Sequence, residues 1–262
     1  MADYVRAIWK CRYFWMSLVK MDLRTRYRRS LLGIGWSLLN PIAMTAIFCL
    51  VFHKVFAGGE GIGMYAPYLL AGLASWQYLT GVTLAGSQCF YQSESYIRQY
   101  PAPLAIYPLR TALGGMIHFS MALVVVLGLA WFFRGFGNLP YIWALLPSLL
   151  LLFVFGWALA VLAGFATVHF NDTKHLTEIG FQILFYATPV MYKPSLLAGG
   201  TLRWLVLCNP LLPFLNLIRD PILYNRLPTL TTLAVATTVT LATTAAASLT
   251  LTRLEKRLIF HL

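Results

Sequence analysis

The sequence predicts an all-α membrane protein. It is expected to have six transmembrane helices, an N-terminal amphipathic interfacial helix, and re-entrant helices between spans 5 and 6. Three observations lead there. First, 59% of the 262 residues are hydrophobic and only 11% are charged, where a soluble domain carries about 25% charged residues. So few charges do not cover a soluble surface, whereas lipid takes the place of water around a polytopic membrane protein. Second, the apolar residues fall into runs that mostly reach the roughly 20 residues needed to cross about 30 Å of hydrocarbon. Third, the net charge of +12 is confined to the gaps between those runs. Spread over a polar chain, the same excess would suggest nucleic acid. Between apolar segments it points to membrane topology and to no nucleic-acid partner.

Residues 1–30 form the first unit. Val5, Ile8, Trp9, Phe14, Trp15, Leu18 and Val19 alternate with Arg6, Lys10, Arg12 and Lys20 at roughly helical spacing. A cytoplasmic interface helix uses this pattern, with aromatics among the headgroups and cations toward anionic lipid. Residues 31–262 form the second unit, a six-helix transmembrane domain. Its spans are expected near 33–56, 66–90, 104–133, 139–169, 176–192 and 229–252. Asn40-Pro41 lies early in the first and predicts a local opening of the helix, because proline has no N–H for the preceding turn. Between spans 2 and 3, "YQSESYIRQYPAP" (91–103) is short and polar, and it predicts a helix that stops before its prolines. The fifth span is short and runs into residues 191–228. That stretch is apolar but broken by prolines at 194, 210, 213, 221 and 228. Two short helices dipping into the membrane and packed on protein fit both features.

The cations set the orientation. Arg6, Lys10, Arg12, Lys20, Arg24, Arg26, Arg28 and Arg29 precede the first span. With an even number of spans both ends share a side, which also receives Arg98, Arg110, Lys174, Arg253, Lys256 and Arg257. The other side keeps Lys54, Arg134, Lys193, Arg203, Arg219 and Arg226. The positive-inside rule then puts both termini in the cytoplasm.

No catalytic constellation or metal site is expected. The histidines are scattered, and Cys11, Cys49, Cys89 and Cys208 have neither metal nor redox spacing. His118 in mid-span reads as a helix-packing hydrogen-bond partner. "GVTLAGSQ" (81–88) has the glycine spacing of a phosphate-binding loop, but Ser87-Gln88 stand where Lys and Ser/Thr are required. No cofactor is therefore expected on this chain, and if ATP drives it, ATP and Mg sit on a partner subunit. The acids Asp3, Asp22, Glu60, Glu94, Asp172, Glu178, Asp220 and Glu255 avoid the middle of the long spans. A proton- or sodium-driven carrier places a carboxylate near the midplane, so this pattern leans away from secondary transport.

Four stretches together carry a resemblance: "MDLRTRYRRSLLGIGWSLLNP" (21–41), "YIRQYPAPLAIYPLR" (96–110), "NDTKHLTEIGFQILFYATPVMYKPS" (171–195) and "NPLLPFLNLIRDPIL" (209–223). In this order, over nearly the whole chain, they resemble the permeases of type-2 ABC polysaccharide exporters. These are the Wzm-type membrane subunits for O-antigen, capsule and teichoic-acid export. Asn171 departs from the family, where an arginine is expected, and the tail "EKRLIF" ends without the expected acidic residue. The resemblance implies a homodimer paired with two copies of a nucleotide-binding ATPase. Its cargo is a glycan linked to a polyprenyl diphosphate.

With that resemblance, the loop 91–103 is expected to couple to the ATPase through Glu94, Tyr96, Ile97 and Arg98. Arg24, Arg26, Arg28 and Arg29 have two readings: a topology signal alone, or also a seat for the lipid diphosphate, since arginine forks suit phosphate oxygens. Tyr27 and Trp36 lie in the same stretch and could stack on a sugar. Aromatics make up 15% of the chain. Most serve the membrane interface and packing, and a minority are expected to line a path for sugar rings. Two alternatives remain. One is a type-2 ABC permease exporting a small molecule or drug. The other is a membrane-embedded enzyme, which needs clustered acid/base or nucleophilic groups that this sequence lacks.

Overall fold

The computed structural model describes residues 2–27, 35–56, 61–100, 102–197, 204, 206 and 208–258. Among these residues it is all-helical, with no strand. The helices are α1 (Ala2–Lys10), α2 (Arg12–Tyr27), α3 (Gly35–Phe56), α4 (Ile62–Gln88), α5 (Glu94–Gln99), α6 (Ile106–Arg134), α7 (Leu145–His169), α8 (Thr173–Ala187), α9 (Leu212–Leu223) and α10 (Leu230–Leu258). A 3₁₀ turn over Leu139–Ala144 leads into α7.

Three helical stretches are long and apolar enough to cross a membrane by length and composition: Ile106–Arg134, Leu139–His169 and Leu230–Glu255. The other expected spans are helical but do not meet that standard alone. In α3 the apolar part is the shorter Leu38–Phe52. At 15 residues, α8 reaches only about 22 Å. α4 has the length, but its composition is mixed with Gly, Ala, Ser, Thr and Tyr. Its position explains this. α4 packs against α3, α6, α7, α8 and α9, and every residue from Tyr65 to Trp76 is buried. A helix sheathed by protein has no lipid-facing stripe to fill with large apolar side chains. Small residues serve it better, because they let neighbouring backbones approach.

That approach is closest against α7. A Cβ on Gly86 would lie 2.4 Å from Ala160 Cα, one on Gly164 would meet Gly86 O at 2.9 Å, and one on Gly156 would meet the Tyr78 hydroxyl at 2.6 Å. Gly156, Ala160 and Gly164 recur every four residues, so they form one stripe of α7 pressed on α4. The main core surrounds α4, α6, α7 and α9. A second core gathers the C-terminal end of α4, the start of α6, Ile97 of α5, Leu18 of α2, and the ends of α7 and α10.

The N-terminal segment is two helices rather than one, with a turn at Cys11 between α1 and α2. Hydrogen bonds from Cys11 N–H to Ala7 O (3.2 Å) and from Trp15 N–H to Cys11 O (3.1 Å) carry the helical pattern across it. In α3 the helix continues through Asn40-Pro41. The opening expected there is limited to the Ser37 carbonyl, which Pro41 cannot serve. Of the two short helices expected in 191–228, α9 is present and, apart from half-buried Asn216, is buried on protein from Phe214 to Leu223. The other falls partly on residues 198–203, outside the described residues.

α9 is pinned by a cation that charge counting had assigned only to the side away from the termini. Arg219 is 1% exposed. It donates to Pro189 O (2.9 Å), Val190 O (2.7 Å) and Tyr68 O (3.4 Å), and its guanidinium lies 3.7 Å from the Tyr68 ring centroid. Gly72 leaves room for it, since a Cβ there would lie 2.2 Å from Nη2. Arg219→Leu is expected to destabilise the protein, because it strands the Val190 carbonyl at about 1–3 kcal/mol and removes the cation–π contact. Thermal unfolding of the detergent-solubilised protein, followed by size-exclusion fluorescence, measures this. An unchanged midpoint would remove Arg219 from the scaffold.

Candidate functional site

A cavity of about 700 Å³ opens between α2, α3, α4 and α6. Its wall on α6 is a single stripe. Arg110, Gly114 and His118 follow one another four residues apart, with Thr111, Gly115 and Phe119 beside them. On α4 the wall is Gln77, Tyr78, Gly81, Val82 and Ala85, continued by Gln92 and Ser93 beyond the helix. α3 adds Trp36, Asn40 and Pro41, and α2 adds Asp22 and Leu23. Gly81 and Gly114 keep this space open. A Cβ on either would have nothing within 4 Å.

The electrostatics of the cavity are simple. Arg110 donates through both Nε and Nη2 to the two carboxylate oxygens of Asp22. The arginine is mostly buried and the aspartate is 42% exposed. Asp22 is the one acid among the described lining residues, and Arg110 and His118 are the basic ones. The remaining lining is amide, hydroxyl, aromatic and small apolar groups. Such a surface offers stacking faces and adaptable hydrogen bonds to a polar, ring-containing ligand. Among the described residues no three His, Cys, Asp or Glu side chains gather as a metal site.

Of the expected substrate residues, Trp36 lines this cavity. Arg24 is exposed on α2 and is not part of the lining. Arg26 and Tyr27 end α2, with side chains outside the described residues, and Arg28 and Arg29 lie outside them altogether. From the sequence Arg110 was only a cytoplasmic-side cation near the start of the third span, and Asp22 only one of the acids outside the middle of the spans. His118, read from the sequence as a packing residue, also lines the cavity. The i, i+4, i+8 spacing of Arg110, Gly114 and His118 was the available signal.

The segment expected to couple is a 3₁₀ turn over Tyr91–Ser93 followed by α5, and it ends with Tyr100 in extended conformation. Glu94 and Arg98 pair across one helical turn at 2.8 Å on the exposed face. Ile97 is buried in the second core. Phe14 of α2 meets the edge of Tyr96 at 6.1 Å and lies 5.3 Å from Tyr100. α5 is therefore held by α2 as well as by its own flanking helices. Nearby, Glu255 of α10 accepts from the Tyr4 hydroxyl (2.9 Å) and the Leu104 N–H (2.8 Å), which joins α1, α10 and the start of α6. Burial first, and then the Glu255 carboxylate, push the Tyr4 phenol above its usual range. Asn171, where the resemblance leads one to expect arginine, accepts from the Tyr91 hydroxyl at 3.0 Å.

Residues 81–88, the near match to a phosphate-binding loop, lie inside α4. Their N–H groups are committed to the helix and cannot cradle phosphate. A helical bundle with three helices long and apolar enough to cross a membrane, enclosing a polar cavity, is the architecture of a multi-pass membrane protein. Residues 13–223 match the ABC-2 type transporter family, and the chain belongs to that family. Membership implies membrane association and a separate ATPase subunit, so the chain is a permease and not itself the ATPase. The chain is similar to the O-antigen export system permease protein RfbA of Myxococcus xanthus, 27% identical over 87% of each chain. A protein of the same name from Klebsiella pneumoniae is 23% identical over 78% of this chain and 77% of its own. Another from Klebsiella pneumoniae is 22% identical over 74% of each.

Proposed function

We propose that this chain is the transmembrane subunit of an ATP-driven exporter for a polyprenyl-diphosphate-linked polysaccharide, such as O-antigen. The exporter works in a bacterial inner membrane. Two copies of the chain form the permease, and two copies of an ATPase subunit bind ATP and Mg and drive it. Both termini face the cytoplasm. The chain crosses six times through α3, α4, α6, α7, α8 and α10. α1 and α2 lie along the inner face, and residues 191–228 re-enter from the outer one. Glu94, Tyr96, Ile97 and Arg98 meet the ATPase, and Arg24, Arg26, Tyr27, Arg28, Arg29 and Trp36 surround the place where the lipid diphosphate loads.

The observation that carries this reading is the relatives' shared name. Three O-antigen export permeases align over 74–87% of this chain. The cavity supports it, being lined by aromatics, amides and one arginine of the kind that suits sugar rings and phosphate. Deleting the gene is expected to remove surface polysaccharide and to accumulate lipid-linked polymer inside the cell, both restored by the cloned gene. Surface staining and extraction of lipid-linked glycan measure the two. Unchanged surface polysaccharide with altered sensitivity to small toxic compounds would instead make the chain a small-molecule or drug permease.

A further inference from the structure

The exporter reading assigns the cavity a cargo but says nothing about how loading is sensed. We propose that the Asp22–Arg110 ion pair is a latch released by the substrate. Asp22 holds the guanidinium that a diphosphate headgroup takes on loading, so that loading frees α2 from α6. The inference rests on the exporter reading for its ligand, and on three features of the structure for its mechanism.

The first feature is the pair itself. Arg110 presents Nε and Nη2 as a fork to both oxygens of one carboxylate. The same fork grips two phosphate oxygens. A diphosphate brings more negative charge than a carboxylate and repels Asp22, so the two anions compete for one site. The second feature is the unequal burial of the partners. Arg110 is 12% exposed and Asp22 is 42% exposed. Arg110 is fixed in the cavity wall, whereas Asp22 can turn to solvent and keep its charge hydrated. Asp22 is therefore the partner displaced, and no other acid among the described lining residues opposes an incoming anion.

The third feature is where α2 leads. It packs on α6, and the ion pair joins the two helices. Two turns before Asp22, Phe14 holds Tyr96 and Tyr100 of the α5 segment, and Leu18 shares a core with Ile97. α2 therefore touches the cavity at one end and α5 at the other. A change in its seating reaches α5 through rigid helix and packed aromatics.

The pair's two halves have opposite roles in the latch, and this makes it testable. The permease–ATPase complex in lipid nanodiscs is titrated with farnesyl diphosphate, with farnesyl monophosphate and inorganic diphosphate as companions, and ATP hydrolysis is read. Asp22→Asn is expected to raise basal hydrolysis and to lower the half-saturating farnesyl diphosphate concentration by roughly fivefold, the scale of a part-exposed ion pair. Arg110→Gln also breaks the pair, yet it is expected to abolish the response. Arg110→Lys, which keeps the charge but loses the fork, is expected to respond weakly. Asp22→Glu restores wild-type behaviour and shows that the site tolerates substitution. If Asp22→Asn and Arg110→Gln shift the response in the same direction, the pair is only a strut and the latch is overturned. If the wild-type complex ignores every prenyl phosphate while responding to a small apolar drug, the exporter reading fails and the latch falls with it. A response to inorganic diphosphate equal to that of the prenyl form supports the latch and assigns recognition to the headgroup alone.

Discussion

Gly114→Leu is expected to abolish export while leaving the protein folded and inserted. Gly114 lies on the cavity wall of α6, between Arg110 and His118. A Cβ added there meets nothing within 4 Å, so the new side chain starts into open space rather than into a packed neighbour. Glycine is about 0.8–1 kcal/mol less favourable than alanine in a helix, and leucine ranks just behind alanine, so the helix itself is not weakened. Its cost falls on whatever enters the cavity. Even a single misplaced methylene in a binding pocket is worth about 10–200-fold, and an isobutyl group at the centre of this wall is expected to reduce export at least tenfold. Surface polysaccharide is measured beside size-exclusion profile and melting midpoint. Normal export from a well-folded Gly114→Leu protein would remove this cavity from the transport path.

Gly86→Leu is expected to do the reverse and prevent folding. The residue is a glycine in a long helix like Gly114, but its surroundings differ. A Cβ on Gly86 would lie 2.4 Å from Ala160 Cα, 2.6 Å from Ala160 Cβ and 2.9 Å from Ala160 O. None of these atoms is the end of a flexible side chain, so only the separation of α4 from α7 relieves the collision. Overpacking of a core costs about 1–3 kcal/mol and more when backbone must move. The neighbouring crossing point leaves no slack to absorb it, since a Cβ on Gly164 would likewise lie 2.9 Å from Gly86 O and from Phe90. Yield of monodisperse protein and its melting midpoint measure the effect. Gly81→Leu, on the same helix with nothing within 4 Å of its Cβ, is the control expected to fold. A wild-type midpoint for Gly86→Leu would mean that α4 and α7 are not so closely packed.

Much of the helix layout was legible in apolar runs and their punctuation. α6, α7 with its leading 3₁₀ turn, and α10 begin within a few residues of the expected spans, because charged or turn-forming residues bound each run. α5 ends before Pro101 as expected, since the residue before proline disfavours helix. The turn at Cys11 was not legible. Nothing in its neighbours' composition stops a helix, and the pattern of apolar residues continues across it. The sheathed position of α4 was not legible either, because hydropathy measures how apolar a helix is and not which solvent surrounds it. Gly156, Ala160 and Gly164 were visible as small residues, but their partner stripe on α4 depends on how the two helices are rotated.

For the site, the sequence was informative about kind more than place. The resemblance made the arginine-rich, aromatic stretch around residues 24–36 the expected ground for an anionic, sugar-bearing ligand, and of those residues Trp36 lines the cavity whereas Arg24 does not. Asp22 and Arg110 are 88 positions apart, and neither alone points to the other. By itself the sequence determined an all-α chain rich enough in apolar helix for a membrane, with no nucleotide loop at residues 81–88. Those properties follow from composition, helical period and the residue chemistry of local motifs, which need no knowledge of neighbours. Only the tertiary structure decided that Arg219 is buried rather than solvated, that Gly114 borders open space while Gly86 touches backbone, and that Asp22 meets Arg110. Each depends on helix rotation and on contacts between residues far apart in the chain, and local sequence does not encode these in a form readable one segment at a time.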